Sequence, residues 1–135
     1  MNLELSKKQF RRLLDLVYIG NWILNSTRGD QRFADYDEVE SLLFARAALE
    51  GMPNMAELYQ GEIVPSRAFV EGGIHEAIAD YEDAVFFSIL AEELARRDLG
   101  LEMQDPEDFS ELQSRMDEYM AEFERNGLNT ISIDI

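Results

Sequence analysis

The 135-residue chain contains no cysteine and only one histidine, His75. Without thiolates it can form no disulfide, thiolate zinc site or iron–sulfur cluster, and it has no cysteine nucleophile. A single imidazole argues against histidine relays and against metal sites that need several histidines. The string from His75 begins like a zinc-protease HExxH motif, but Ala79 stands where the second histidine is required. We therefore expect His75 to be an exposed or capping residue.

Basic residues are also scarce, with 12 Lys and Arg against 28 Asp and Glu and a net charge of −16. Residues 1–32 hold six basic and three acidic residues, whereas residues 33–135 hold six basic and 25 acidic ones. Nucleic-acid binding needs clustered Lys and Arg for phosphate contacts, so it is not expected here. A basic protein partner or a cation suits this charge better.

The chain lacks an apolar run of the length that a membrane span requires. The apolar stretch Leu13–Leu24 is interrupted by Asp15, Gly20 and Asn21, and no small-residue cleavage site follows it. The stretch therefore predicts an ordinary helix instead of a signal peptide, no membrane association, and a cytoplasmic location.

Most of the sequence shows the periodicity of amphipathic helices. The chain is predicted to be mainly α: a single domain over residues 1–135, built as a compact bundle of four main helices with a short helix and a small terminal β-strand element. The predicted main helices cover about residues 6–25, 35–51, 67 or 73–98, and 105–127. Ser6 with Gln9 and Asp35 with Glu38 are read as N-terminal caps, and Asp105 precedes a proline at the first helical position.

Two stretches are apolar almost all round the helix, Leu16–Leu24 and Ala84–Ala91. A helix that is apolar on every side belongs inside a core. Both stretches are therefore predicted to be deeply buried.

The C-terminal tail changes period, because Ile131, Ile133 and Ile135 alternate with polar residues. This alternation predicts a strand, for which Leu3 and Leu5 offer a short partner. A two-stranded ribbon is marginal alone, so the tail is expected to pack on the bundle or to pair with a second copy in a homodimer. Between the second and third helices, a short helix is predicted from Asn54 to Gly61, followed by an extended piece.

An acidic row on the third helix is the strongest candidate for chemistry. Glu76, Asp80 and Asp83 fall on one helical face, and the second helix offers Asp37 and Glu40 three residues apart. Carboxylates from two helices can enclose Mg²⁺ or Mn²⁺ without histidine.

The pairs Asp37-x-x-Glu40 and Asp80-x-x-Asp83 loosely resemble the all-α NTP pyrophosphohydrolases, which place Glu-x-x-Glu on one helix and Glu-x-x-Asp on the next. The resemblance implies a magnesium-dependent phosphohydrolase. The first acid of each pair is one carbon shorter here, and the connection between the helices is longer, so membership of that family is not inferred. A solvated acidic face is the interpretation that the composition favours.

The first helix carries a basic patch at Lys7, Lys8, Arg11 and Arg12. It suits the docking of an acidic surface, or it is a solvated flank that offsets part of the negative charge, and the second interpretation is preferred.

The leading functional hypothesis is an acidic protein that acts without catalysis through protein–protein interaction, as a regulator, an inhibitor or a subunit that meets a basic partner. Two alternatives stay open. One is the Mg²⁺- or Mn²⁺-dependent phosphohydrolase, and the other is a purely structural homodimer.

Overall fold

The computed structural model describes residues 1–100 and 105–135. Its helices are α1 (Lys7–Asn25), α2 (Ala34–Leu49), α3 (Arg67–Phe69), α4 (His75–Leu99) and α5 (Pro106–Asn126). Its strands, β1 (Ala56–Tyr59) and β2 (Glu62–Pro65), form one antiparallel hairpin. The prediction of a mainly α protein with four main helices and a small β element is confirmed.

The N-terminal caps predicted for α1 and α5 are confirmed. The Ser6 hydroxyl accepts from the Gln9 backbone N–H, and the Gln9 side chain accepts from the Ser6 N–H in return. Asp105 accepts from the first-turn amides of α5, with proline at the first helical position. The predicted cap of α2 is wrong, because α2 begins at Ala34, after Phe33, with no side-chain cap.

The chain divides into two compact units, residues 1–78 and residues 79–135, and the boundary falls within α4. In the first unit, α1 and α2 pack together and the β1–β2 hairpin lies against α2. Its core contains the buried side chains of Leu14, Phe44, Ala47 and Phe69. The Phe44 and Phe69 rings meet edge to face with their centroids 4.9 Å apart.

The small β element lies inside the first unit and not at the termini. Ala56 pairs with Pro65 and Tyr59 with Glu62, around a two-residue turn at Gln60 and Gly61 in which both residues have positive φ. That turn geometry matches the right-handed twist of the flanking strands. The helix predicted after Asn54 is wrong, because only a 3₁₀ turn at Pro53–Met55 precedes β1. Pairing with β2 outweighs the local helical tendency of this segment.

A short turn of α3 leads through a π-helical turn, Val70–Ile74, into α4. Gly73 has a φ of +111° there, which L-residues with a side chain rarely adopt. The glycine therefore accommodates the kink at the start of α4.

In the second unit, residues 79–99 of α4 contact α5, and the order of these contacts shows that the two helices run in opposite directions. The Phe87 and Phe123 rings lie 5.2 Å apart by their centroids, and Tyr119 donates a hydrogen bond to Asp98 near the end of α4. Among the described residues of this unit, the buried side chains are Ala91, Ala95, Leu112 and Phe123.

The burial predicted for the two fully apolar stretches is wrong in part. On α1, Leu16 and Ile23 are 68% and 64% exposed, whereas Tyr18 and Asn21 are buried. On α4, Phe86 and Ile89 are 48% and 58% exposed. An all-round apolar helix does not say which face is covered, and here only one side of each helix finds a partner.

The predicted terminal strand is also wrong. Residues 1–6 and 131–135, all of which the structure describes, contain no strand. The chain after α5 turns twice, through hydrogen bonds from the Asn129 N–H to the Asn126 carbonyl and from the Ile131 N–H to the Leu128 carbonyl. Over the described ranges, no helix is long and apolar enough to cross a membrane.

Candidate functional site

The face of α1 that is buried carries polar side chains. Tyr18, Asn21 and Asn25 follow Leu14 at intervals of four, three and four residues, so they lie on one side of the helix. Asn21 and Asn25 are among the few buried polar residues in the described part of the chain. Buried polar groups need hydrogen-bond partners, and this face has them.

Asn25 holds the connection between α1 and α2. Its side-chain carbonyl accepts from the Phe33 N–H at 2.8 Å, and its amide nitrogen donates to the Phe33 carbonyl at 3.1 Å. The same amide nitrogen donates to Asn21 Oδ1 at 2.7 Å. The start of α2 is thereby fixed to the end of α1, without a side-chain cap on α2 itself.

Asn21 extends this hydrogen-bond network to two carboxylates of α2. Its amide nitrogen lies 3.0 Å from Asp37 Oδ1 and 3.0 Å from Glu40 Oε2. Arg32 binds Asp37 through two nitrogens, with Nε 2.9 Å from Oδ2 and the terminal nitrogen 2.7 Å from Oδ1. The hydrogen bonds from Arg32 lower the pKa of the Asp37 carboxyl, against the opposing effect of partial burial, and the bond from Asn21 lowers it further.

Glu40 lies in a different electrostatic environment. Burial raises the pKa of its carboxyl, and the hydrogen bond from Asn21 offsets only part of that effect. Its Oε1 oxygen has no hydrogen-bond partner among the described residues. Glu40 is therefore the carboxylate of this cluster whose charge is least compensated.

Tyr18 and His75 close the other side of the cluster. The Tyr18 hydroxyl and His75 Nε2 share a hydrogen bond of 2.6 Å. The His75 ring stands edge-on to Trp22, with centroids 4.7 Å apart. Burial raises the pKa of the Tyr18 hydroxyl, and the Glu40 charge raises it further. His75 is half-buried and hydrogen-bonded to another helix, so the expectation of an exposed or capping histidine is wrong.

Two adjoining cavities open onto these side chains. One of about 250 Å³ is lined by Tyr18, Asn21, Trp22, Ser26, Arg32 and Glu40. The other, of about 300 Å³, shares Tyr18, Arg32 and Glu40 with it and extends to Asp37 and β2. We call the first cavity, with the residues that line it, the polar cleft. It offers a carboxylate, a guanidinium, two aromatic side chains and two further hydrogen-bonding groups, a set suited to holding a small polar ligand.

A second candidate surface lies on α4 in the second unit. Glu82, Phe86, Ile89 and Glu93 are spaced by four, three and four residues, which aligns them along one helical face. Ile89 lies about 160° around the helix from Phe87, whose ring packs on Phe123 of α5. All four are exposed, and neither glutamate forms an ion pair within the described residues. We call these four residues the α4 stripe.

The five carboxylates predicted as metal ligands lie on two helices, Asp37 and Glu40 on α2 and the other three on α4. Asp37 and Glu40 lie together in the first unit, joined by Asn21. Glu76 is an exposed residue of the first unit, and Asp80 and Asp83 are exposed residues of the second. Among residues 1–100 and 105–135, no group of three or more His, Asp or Glu side chains could hold a metal ion.

The predicted basic patch makes local contacts. Arg11 and Arg12 both bind Asp15, and Lys7 reaches the Gly51 carbonyl at 3.3 Å. Lys8 is exposed. In the C-terminal tail, Ile131, Ile133 and Ile135 are all exposed.

Sequence reasoning did not identify Tyr18, Asn21 or Asn25 as site residues. A signal for them was present, because these polar side chains recur at helical spacing within an otherwise apolar stretch. Such spacing indicates a polar seam facing another element.

Comparison with known proteins finds no match to a family model, to a curated protein or to a solved structure. The loose resemblance of the carboxylate pairs to the pyrophosphohydrolases therefore gains no support from these comparisons.

Proposed function

We propose that the protein is a non-enzymatic binding protein whose second unit docks a basic, amphipathic helical segment of another protein. The observation that carries this proposal is the α4 stripe. Its centre is two large apolar side chains, Phe86 and Ile89, and a glutamate stands at each end.

The apolar centre of the α4 stripe provides hydrophobic surface that a partner can bury. Phe86 and Ile89 are 48% and 58% exposed, so both offer apolar surface to a partner. Covering a side chain of this size contributes about 1.5–3 kcal/mol when burial is complete. An amphipathic helix that lays its apolar face on such a surface is a common mode of recognition.

The charges decide which partner fits. Residues 79–135 contain 16 acidic and four basic residues, a net charge of −12. Glu82 and Glu93 flank the apolar centre, so a segment with lysines or arginines on either side of an apolar pair complements the α4 stripe in both directions.

A second copy of the chain fits less well. Two stripes laid antiparallel would place Glu82 opposite Glu93, and two laid parallel would pair each glutamate with its equivalent. Like charges across an interface oppose association, in addition to the repulsion between two strongly acidic units.

The test uses the full chain and a designed helical peptide with lysine, leucine, leucine and lysine at the spacing of the α4 stripe. Titration calorimetry at low salt should show binding that weakens steeply towards physiological ionic strength. The double variant Phe86→Ala/Ile89→Ala should bind at least about thirtyfold more weakly, because it loses about 2 kcal/mol of apolar burial. Alanine favours helix, so α4 should be retained.

The matched control is Leu58→Ala, an exposed apolar residue of β1 in the first unit (71% exposed), which should leave binding unchanged. A peptide of the same composition in permuted order should bind weakly. Equal binding of both peptides, or an unchanged affinity in the double variant, would contradict the proposal. Self-association that the double variant abolishes would instead assign the stripe to a second copy.

A further inference from the structure

We infer that the polar cleft of the first unit binds an alkylammonium group, independently of the docking surface on α4. The inference rests on the charge balance of the polar cleft, its aromatic walls and its size, each of which favours a small organic cation.

The charge balance leaves one uncompensated carboxylate. The guanidinium of Arg32 is bound by Asp37 through two hydrogen bonds, so these two charges largely cancel. Asn21 divides its amide hydrogens between Asp37 and Glu40. Glu40 Oε1 accepts no hydrogen bond from the described residues, it is open to solvent, and Glu40 lines the cavity. A donor with a positive charge would complete its coordination.

The aromatic walls favour the same ligand. The Tyr18 and Trp22 rings lie almost parallel, 22° apart in plane, with their centroids separated by 6.3 Å. The faces of aromatic rings attract cations, and tryptophan does so most strongly. Both side chains line the polar cleft beside Glu40, so its lining favours an ammonium group over an anion.

The donor set distinguishes an organic cation from a metal ion. Mg²⁺ and Ca²⁺ need six or more oxygen ligands, and the described residues contain no group of three acidic or histidine side chains that could hold one. A cavity of about 250 Å³ is small for a ligand site and suits a short aliphatic amine or a single lysine side chain.

The experiment follows Trp22, the only tryptophan of the chain, by fluorescence, and His75, the only histidine, by NMR. Both rings touch the polar cleft or its rim, so a ligand there should shift both signals. The probes are n-butylammonium and capped lysine amide, with capped norleucine amide as the neutral counterpart. Tighter binding of capped lysine would identify a protein side chain as the natural ligand, and tighter binding of butylammonium a free amine.

Glu40→Gln is the informative variant, because glutamine retains a side-chain oxygen that can accept from Asn21 but has no charge. It should weaken binding of either cation about tenfold or more, since charge-assisted hydrogen bonds contribute about 1.5–3 kcal/mol. Glu38→Gln, an exposed residue of the same helix, is the matched control and should bind as the wild type does.

Three outcomes would overturn the inference. Norleucine amide could shift Trp22 and His75 as much as the lysine amide does, which would indicate apolar binding alone. Glu40→Gln could bind the cations with wild-type affinity. Acetate or phosphate could bind in place of the cations, which would show that Arg32 and not Glu40 governs the site. None of these results depends on the α4 stripe, so the docking proposal stands or fails separately.

Discussion

Replacing Asn25 with alanine should destabilise the first unit by about 2–3 kcal/mol. The substitution removes three hydrogen bonds, two to the Phe33 backbone and one to Asn21, and each contributes about 0.5–1.5 kcal/mol net. Phe33 is partly exposed, so water can replace some of the lost contacts, and this keeps the expected value below the upper sum. Asn25 and Asn21 are both buried, so the hydrogen bond between them is the contact that water replaces least easily.

Urea unfolding followed by Trp22 fluorescence measures this effect, because the single tryptophan lies in the first unit. The matched control is Arg46→Ala, which removes one exposed ion pair, with Glu50, at the end of α2 in the same unit. Its expected cost is within about 0.5 kcal/mol. If Asn25→Ala lowered the free energy of unfolding no more than this control does, the hydrogen bonds of Asn25 would not be what fixes α2 to α1.

Three further predictions concern the same unit. Asp37→Asn should lower stability at neutral pH: the folded-state pKa of Asp37 is depressed, so its contribution is present above the ordinary aspartate pKa and is lost as pH falls through the depressed value. Glu40→Gln should change stability in the opposite direction, because the folded-state pKa of Glu40 is raised. The variant should gain stability over the wild type as pH rises from the ordinary glutamate pKa through the raised value. A pH series of urea midpoints would show this gain, and a difference independent of pH would contradict it. Gly73→Ala should cost about 1 kcal/mol or more, since the φ of +111° is strained for alanine, and thermal unfolding beside Gly72→Ala, whose φ is not positive, measures the difference.

The helices could be predicted because their signals are local. Ser6 with Gln9, and Asp105 with Pro106, satisfy first-turn amides within a few residues, so the chain around them decides the helix start. The β hairpin is different, because it requires β1 to meet β2 and both to pack near α2. Its local signal, the turn at Gln60 and Gly61, contains a non-glycine residue with positive φ and does not mark a hairpin strongly.

The site was less predictable than the fold, for a related reason. Asp37 and Glu40 were identified as a carboxylate pair, but their different roles depend on Arg32 and Asn21, which reach them from other elements. On α1 the face that carries Tyr18, Asn21 and Asn25 is the buried one, and apolar residues such as Leu16 are exposed. The hydrophobic pattern alone does not predict which face of α1 is buried, because that depends on hydrogen-bond partners outside the helix.

The most direct test of the proposed function is a reversal of charge specificity on α4. The double variant Glu82→Lys/Glu93→Lys should lose affinity for the lysine-flanked peptide and gain affinity for the same peptide with glutamate in place of lysine. Phe86 and Ile89 are unchanged in this variant, so the apolar contribution is constant and the measurement isolates the flanking charges. If the variant still prefers the lysine-flanked peptide, the α4 stripe is not where the basic segment binds.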